Sequence, residues 1–121
     1  MNKEDKELLL RDLCNRLPYN VMCQVEFKED GKYNSKVMLL SGIFTDEAYF
    51  TTKGGSIYSN EYKPYLFPLS SITKKTLEEL SAYIDIKNAY VAVEFFNSHH
   101  IDYRGLIEKG LAIDATGLDI Y

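Results

Sequence analysis

The chemically able side chains gather at His99, His100 and Asp102, followed directly by Tyr103 and Arg104. An imidazole beside a carboxylate can be oriented as a general base or as a metal ligand. Adjacent residues on a helix, however, point about 100° apart, so both rings rarely face one site. No H-x-x-x-H or C-x-x-C spacing accompanies them. The plainer account is a helix C-terminus, where histidine completes orphan carbonyls and Asp102 caps the next segment. Arg104, with the amides behind it, could hold an anion; its ordinary role is an ion pair with Glu108, four residues on.

Cys14 and Cys23 lack ligand-like spacing to each other or to the histidines. Cys14 falls on the expected apolar stripe of its helix, which predicts burial and a sluggish thiol. Lys53-Gly54-Gly55-Ser56 has a faint look of a phosphate cradle, but the full P-loop spacing is missing, and a hairpin turn explains it. Tyr58, Tyr62, Tyr65 and Phe67 flank prolines at an expected sheet edge, with Lys53 and Lys63 near. Such a semi-exposed aromatic edge suits docking of a protein or of unstacked bases. No catalytic residue, metal ligand or cofactor is assigned; the candidate binding residues are Tyr58, Tyr62, Tyr65, Phe67, His99, His100, Tyr103 and Arg104.

The elements that must position these groups begin with a helix over 2–17. Asn2 caps it, Leu9, Leu10, Leu13, Cys14 and Leu17 form its buried stripe, and Glu7–Arg11 and Asp12–Arg16 pair on the wet side. Pro18 stops it. Residues 20–27 alternate as a first strand with Val21, Cys23, Val25 and Phe27 inward. A hairpin loop through Ser35 leads to the densest apolar run, 36–44. As a strand, that run is apolar on both faces and calls for cover on both, in the middle of a curled sheet. Gly42 inside it marks a bulge or bend.

Asp46-Glu47 makes the next turn, 49–53 a third strand, Gly54-Gly55 a tight hairpin and 56–62 a fourth strand. Pro64 and Pro68 restrict 63–69 to an edge strand or crossing segment, and pairing across a two-fold axis at this edge would give a homodimer. Thr73 caps a helix over 74–84 along Leu77, Leu80 and Ile84. Residues 87–99 have strand propensity but also a helical stripe, and helix is chosen. Asp102 caps a short helix over 103–109 ended by a left-handed Gly110, and the tail packs down through Leu111, Ile113, Leu118 and Ile120. The fold class is therefore α+β in one domain, 1–121. A helix at 2–17 leads into a β-region at 20–69 and a helical region at 73–110. The β-region forms a small, strongly bent antiparallel sheet or SH3-like barrel of four to five short strands, with two to three C-terminal helices.

The run FNSHHIDYRGLIEKGLAI at 96–113 resembles the closing segment of a family of small uncharacterised proteins from gut anaerobic bacteria and their phages. The stretches 2–19 and 63–73 are similar to the same family. Where that family has Phe and an acidic-Trp-Leu sequence, this chain has Ile101 and Glu94-Phe95-Phe96, substitutions that keep a helix amphipathic. The resemblance implies phage or mobile-element ancestry and carries over no site residue.

Composition bounds the rest. The 121 residues carry a net charge of −4, with ten Tyr, six Phe and no Trp. That charge disfavours gripping a phosphate backbone by bulk electrostatics, and no apolar run reaches the ~20 residues of a membrane span. The acidic start, 1–5, lacks a secretory pattern, so a cytoplasmic chain with both thiols reduced is expected. Two functions are expected on these grounds: a non-enzymatic accessory protein that binds another protein, or an SH3- or Sm-like module binding single-stranded nucleic acid or a nucleotide.

Overall fold

The computed structural model describes residues 2–44, 47–75, 78, 81 and 89–121. Helix α1 (Lys3–Arg16) starts where expected: the Asn2 Oδ1 accepts the Asp5 N–H at 2.7 Å, and Glu4 and Asp5 sit at the positive end of the dipole. Pro18, in a 3-10 turn over Leu17–Tyr19, ends it, and left-handed Asn20 (φ 58°) swings the chain into the sheet.

The buried stripe of α1 is Leu9, Asp12, Leu13 and Arg16 rather than the Leu10–Cys14–Leu17 line. Cys14 is exposed, and Asp12 and Arg16, expected in water, lie fully buried. The helix is rolled toward its Asp12 side because that pair has partners elsewhere in the chain.

Val21, just before strand β1 (Met22–Glu29), and Cys23 and Val25 within it point inward as the alternation predicts, while Phe27, expected inward too, is only half-buried. A two-residue turn, Asp30 (φ 51°) and Gly31 (φ 78°), joins it to β2 (Lys32–Ile43). Positive φ at both positions matches the right-handed twist of the hairpin, so the strand starts at Lys32 and no loop runs to Ser35. The β2 ladder to β3 (Ala48–Thr52) slips between Leu40 and Gly42, the bulge that Gly42 signalled. Asp46 of the expected Asp46-Glu47 turn lies outside the described residues, and the Phe44 N–H donates to Glu47 O at 2.9 Å. Turn residues Lys53 and Gly54 lead to β4 (Gly55–Ser59), and β5 (Glu61–Pro68) comes at once after it.

The C-terminal part supplies α2 (Ala89–Ser98), which settles the strand-or-helix ambiguity as helix, and two short strands, β6 (Ile101–Asp102) and β7 (Ile113–Asp114). Leu77, Leu80 and Ile84 of the expected 74–84 helix lie outside the described residues. The third expected helix, 103–109, is not one: the segment makes a single turn. Both carboxylate oxygens of Asp102 accept its amides, from Leu106 and Ile107, each at 2.9 Å, and Gly110 closes it at φ 75°.

The sheet is mixed, its seven strands ordered β4-β3-β2-β1-β5-β6, with β7 also on β5. Strands β6 and β7 run parallel to β5, the other pairs antiparallel, and the path is open at β4. The strand count thus exceeds the four to five expected, because the tail contributes two. Nor is β5 an edge. It pairs with β1 as far as Pro64, then with β7 at Tyr65 and Leu66 and β6 at Phe67 and Pro68. Each proline closes a ladder, where a lost N–H costs least. That arrangement removes the free edge on which a homodimer at Pro64 and Pro68 was based.

Leu9 and Leu13 of α1, with Leu106 and Leu111 of the tail, cover the sheet face formed by Val21, Cys23, Val25, Met38, Leu40 and Phe50. Among the described residues, only that face is enclosed. Across β2 from Met38 and Leu40, Val37 is 38% exposed and Phe44 54%. The expectation that both faces of 36–44 would be covered is corrected: one is core, and the other, where Leu39 is half-buried, is left partly open among the described residues.

Candidate functional site

Two places in this fold depart from the usual rule of charges outside and aromatics inside. The first is a buried ionic cluster where α1 meets β6. The Arg16 Nε donates to the Asp12 Oδ2 at 2.6 Å, and its Nη2 to the Ile101 carbonyl at 2.6 Å. The Arg104 Nε stands 3.2 Å from the other Asp12 oxygen, Oδ1. Both guanidinium groups lie about 5 Å from the Tyr103 ring centroid, which also stacks on Phe96. Burial pushes the Asp12 carboxyl above the usual carboxylate range, against the pull of Arg16 and Arg104. Arg104 therefore pairs with Asp12, not with Glu108 as its spacing suggested.

Beside this cluster the tail folds back. The His100 ring stacks on Tyr121, centroids 3.7 Å apart and planes at 12°. The Tyr121 hydroxyl accepts the Met22 N–H at 2.9 Å and donates to the Tyr65 carbonyl at 2.8 Å. Burial, then the charges of Arg16 and His99, hold His100 down at about 4. Its Nδ1 is buried without a hydrogen-bond partner among the described residues, as is the Arg16 Nη1. His99 does what helix termination asks: its Nδ1 meets the Phe95 carbonyl at 2.9 Å and its ring stacks on Phe95. The two imidazoles serve different neighbours, and among the described residues no group of three or more His, Cys, Asp or Glu could hold a metal ion.

The second place is the open end of the sheet. Tyr58 on β4, 55% exposed, packs its ring against Tyr49 (4.9 Å) and Phe44 (5.7 Å). Tyr49 stands directly opposite Gly42 on the neighbouring strand, and the Phe44 ring comes to 3.5 Å from where a Gly42 Cβ would be, an ordinary packing distance. Three aromatic rings gather on the partly open face. Tyr33, 75% exposed, lies farther along the same hairpin with Lys28 over its ring.

The structure divides the eight residues singled out from the sequence. His100, Tyr103 and Arg104 join the ionic cluster and its margin, with Tyr65 and Phe67 reaching Tyr121. Tyr62 turns inward onto Phe50, and burial raises its phenol above the usual value. Two of the eight stay exposed: His99, stacked on Phe95 at the end of α2, and Tyr58 at the sheet edge, whose ring partners Phe44 and Tyr49 are absent from the sequence-based candidates. Their signal lies in the two-faced apolar pattern of 36–44, which reads equally as a call for cover. Tyr121, Asp12 and Arg16 escape sequence reasoning for a different reason: their partners are remote in the chain.

No protein-family model, curated protein or solved structure matches the chain. No helix among the described residues is long and apolar enough to cross a membrane.

Proposed function

We propose that the protein is a small non-enzymatic accessory that works by holding another protein, and that its contact surface is the β3–β4 end of the sheet. One observation carries this reading: three aromatic rings, Phe44, Tyr49 and Tyr58, cluster on an uncovered face beside a free strand edge. Aromatic side chains held together in water are the usual anchors of protein contacts, because they bring large apolar area at small cost in side-chain freedom. The ionic cluster, by contrast, ties α1 to the tail and offers no nucleophile. A mobile-element origin rests on the sequence resemblance of 2–19, 63–73 and 96–113 alone.

Photo-crosslinking tests the reading. A benzoylphenylalanine at position 58 should give one discrete crosslinked protein in native-host cells, lost when Phe44 is replaced by Ser. The same probe at the exposed position Glu7 on α1 should give none. Identical patterns from both positions would overturn it.

The alternative, a module for single-stranded nucleic acid or a nucleotide, draws support from the strand order. An N-terminal helix precedes five antiparallel strands in the order β4-β3-β2-β1-β5, the outline of an SH3- or Sm-like barrel. This is fold analogy, and the charge of −4 opposes it. Salt-dependent binding of single-stranded RNA at low ionic strength would favour it over protein contact.

A further inference from the structure

Among the described residues, the segment 116–121 is hydrogen-bonded to the sheet through one side chain. Strand β1 pairs with β5 from Glu26 opposite Glu61 to Cys23 opposite Pro64. One position farther, the Tyr121 hydroxyl stands between the two strands, accepting the Met22 N–H at 2.9 Å and donating to the Tyr65 carbonyl at 2.8 Å. A phenol is both donor and acceptor, so it can bridge two backbone groups just beyond the end of a ladder. Its ring lies flat against His100. Between this anchor and β7 the attachment thins out. Ala115 is buried, and its N–H donates to Leu66 O at 2.8 Å, but Thr116, Gly117, Leu118 and Asp119 are exposed. The Thr116 and Leu118 amides donate to Asp114 and Ala115, within the tail itself. Gly117 bends the backbone there at φ 76°.

We propose that 116–121 is a latch, held closed on the β1–β5 end while the His100 imidazole is neutral and lifted when that ring takes up a proton. The device goes beyond the protein-binding reading above and uses none of its residues. Its lever is the half-buried His100 ring, whose Nδ1 has no hydrogen-bond partner among the described residues. An imidazolium carries an N–H on both nitrogens, so protonation leaves a buried, charged donor without an acceptor. The charges acting on the ring are both positive, Arg16 from α1 and His99 beside it. The carboxylates nearby are engaged elsewhere, Asp12 with Arg16 and Arg104, and Asp102 with the Leu106 and Ile107 amides. From β5, the Phe67 N–H donates to the His100 carbonyl, and its ring adds no charge. Burial and the two cations hold His100 at about 4. Attraction of an imidazolium to the Tyr121 face pulls the other way, but its ordinary strength is below the cost of such a drop from 6.5. The protonated ring escapes the conflict by turning to water, which removes the surface Tyr121 lies on and frees its hydroxyl from Met22 and Tyr65. Closure is therefore at full strength above about pH 6.5 and weakens as pH falls toward 4.

Amide hydrogen exchange of the full chain tests the latch, because the Met22 N–H is bonded to the Tyr121 hydroxyl and reports its departure directly. Val25, paired on both sides within the same strand, reports opening of the sheet. Met22 should be less protected than Val25, since lifting the latch leaves the sheet intact. After correction for the intrinsic rate, its protection should fall about twentyfold from pH 7 to pH 5, the factor set by 6.5 in the open state and about 4 in the closed one. His100→Asn, which accepts the left-handed backbone at φ 58°, should abolish that fall. Tyr121→Phe, which keeps a ring for His100 but no hydroxyl, should lower Met22 protection already at pH 7. The latch is overturned if Met22 is as protected as Val25 at both pH values, if its protection does not fall with pH, or if it falls equally in His100→Asn. Unchanged Met22 protection in Tyr121→Phe would overturn it as well.

Discussion

At the α1–β6 junction, charged groups are buried against one another in ion pairs, with some of their polar atoms left without a hydrogen bond; at the β3–β4 end, aromatic groups face water. The contrast separates holding from contacting. A buried carboxylate survives desolvation only where cations and donors are already in place, and Asp12 has the Nε of Arg16 at 2.6 Å and that of Arg104 at 3.2 Å. Phe44 and Tyr58 touch each other but are more than half exposed, so removing them leaves no unpaired group behind. The first region should therefore respond to mutation through stability, the second through binding.

The largest expected effect tests the sealed side. Asp12→Ala leaves Arg16 buried without its counter-charge and Arg104 without its partner, and should cost about 3–5 kcal/mol in urea unfolding. A loss under about 1 kcal/mol would mean that the cluster is not the clamp its geometry describes. Asp102→Ala comes next. It removes the acceptors of the Leu106 and Ile107 amides, as loss of a helix cap does, and should cost about 1–2 kcal/mol. Asp102→Asn, which keeps one carbonyl acceptor, should recover part of that loss.

These two carboxylates also mark what sequence can and cannot tell. Asp102 is legible as a cap because capping is local: the acceptor and the amides it serves lie within five residues. So are Asn2, the inward alternation of Val21, Cys23 and Val25, and the bulge at Gly42. Asp12–Arg16 is visible as a pair but not as a buried one, since an i,i+4 spacing reads alike in water and in a core. What buries it is the Ile101 carbonyl, 85 residues from Arg16. The same limit explains β2. Alternation shows that a strand has two apolar faces, but whether the second is covered depends on a distant element, and here none among the described residues lies over Val37 and Phe44. For β5, the proline rule assumes one partner per side along the whole strand, whereas the partners change after Pro64.

A smaller effect lies at the margin of the sealed region. His100 titrates at about 4 in the folded protein and near 6.5 when unfolded. Between those values the unfolded chain takes up a proton that the native state excludes. Stability is therefore fully present above about pH 6.5 and is lost as pH falls toward 4. His100→Asn tolerates the left-handed backbone at φ 58° and removes the titration. The difference in melting temperature between wild type and variant should shrink or change sign on acidification across this window, while the opposite slope from the raised Asp12 carboxyl cancels between them. A difference that stays flat from pH 7 to 4 would place His100 in water, free of Tyr121 and Arg16.

The smallest effect on stability is expected where the comparison is most exposed to failure. Phe44→Ser with Tyr58→Ser removes the ring contacts at 5.7 and 4.9 Å, but much of that surface already meets solvent, so little hydrophobic burial is forfeited. The pair should shift unfolding by at most about 1 kcal/mol, near the value of an exposed aromatic contact. It should also reduce retention on a hydrophobic-interaction column, because two rings leave the surface. If the double variant instead lost as much stability as Asp12→Ala, the aromatic end would be a structural support like the ionic cluster. Sealed and open regions would then no longer differ in kind, and the reason for placing the contact surface at β3–β4 would be gone.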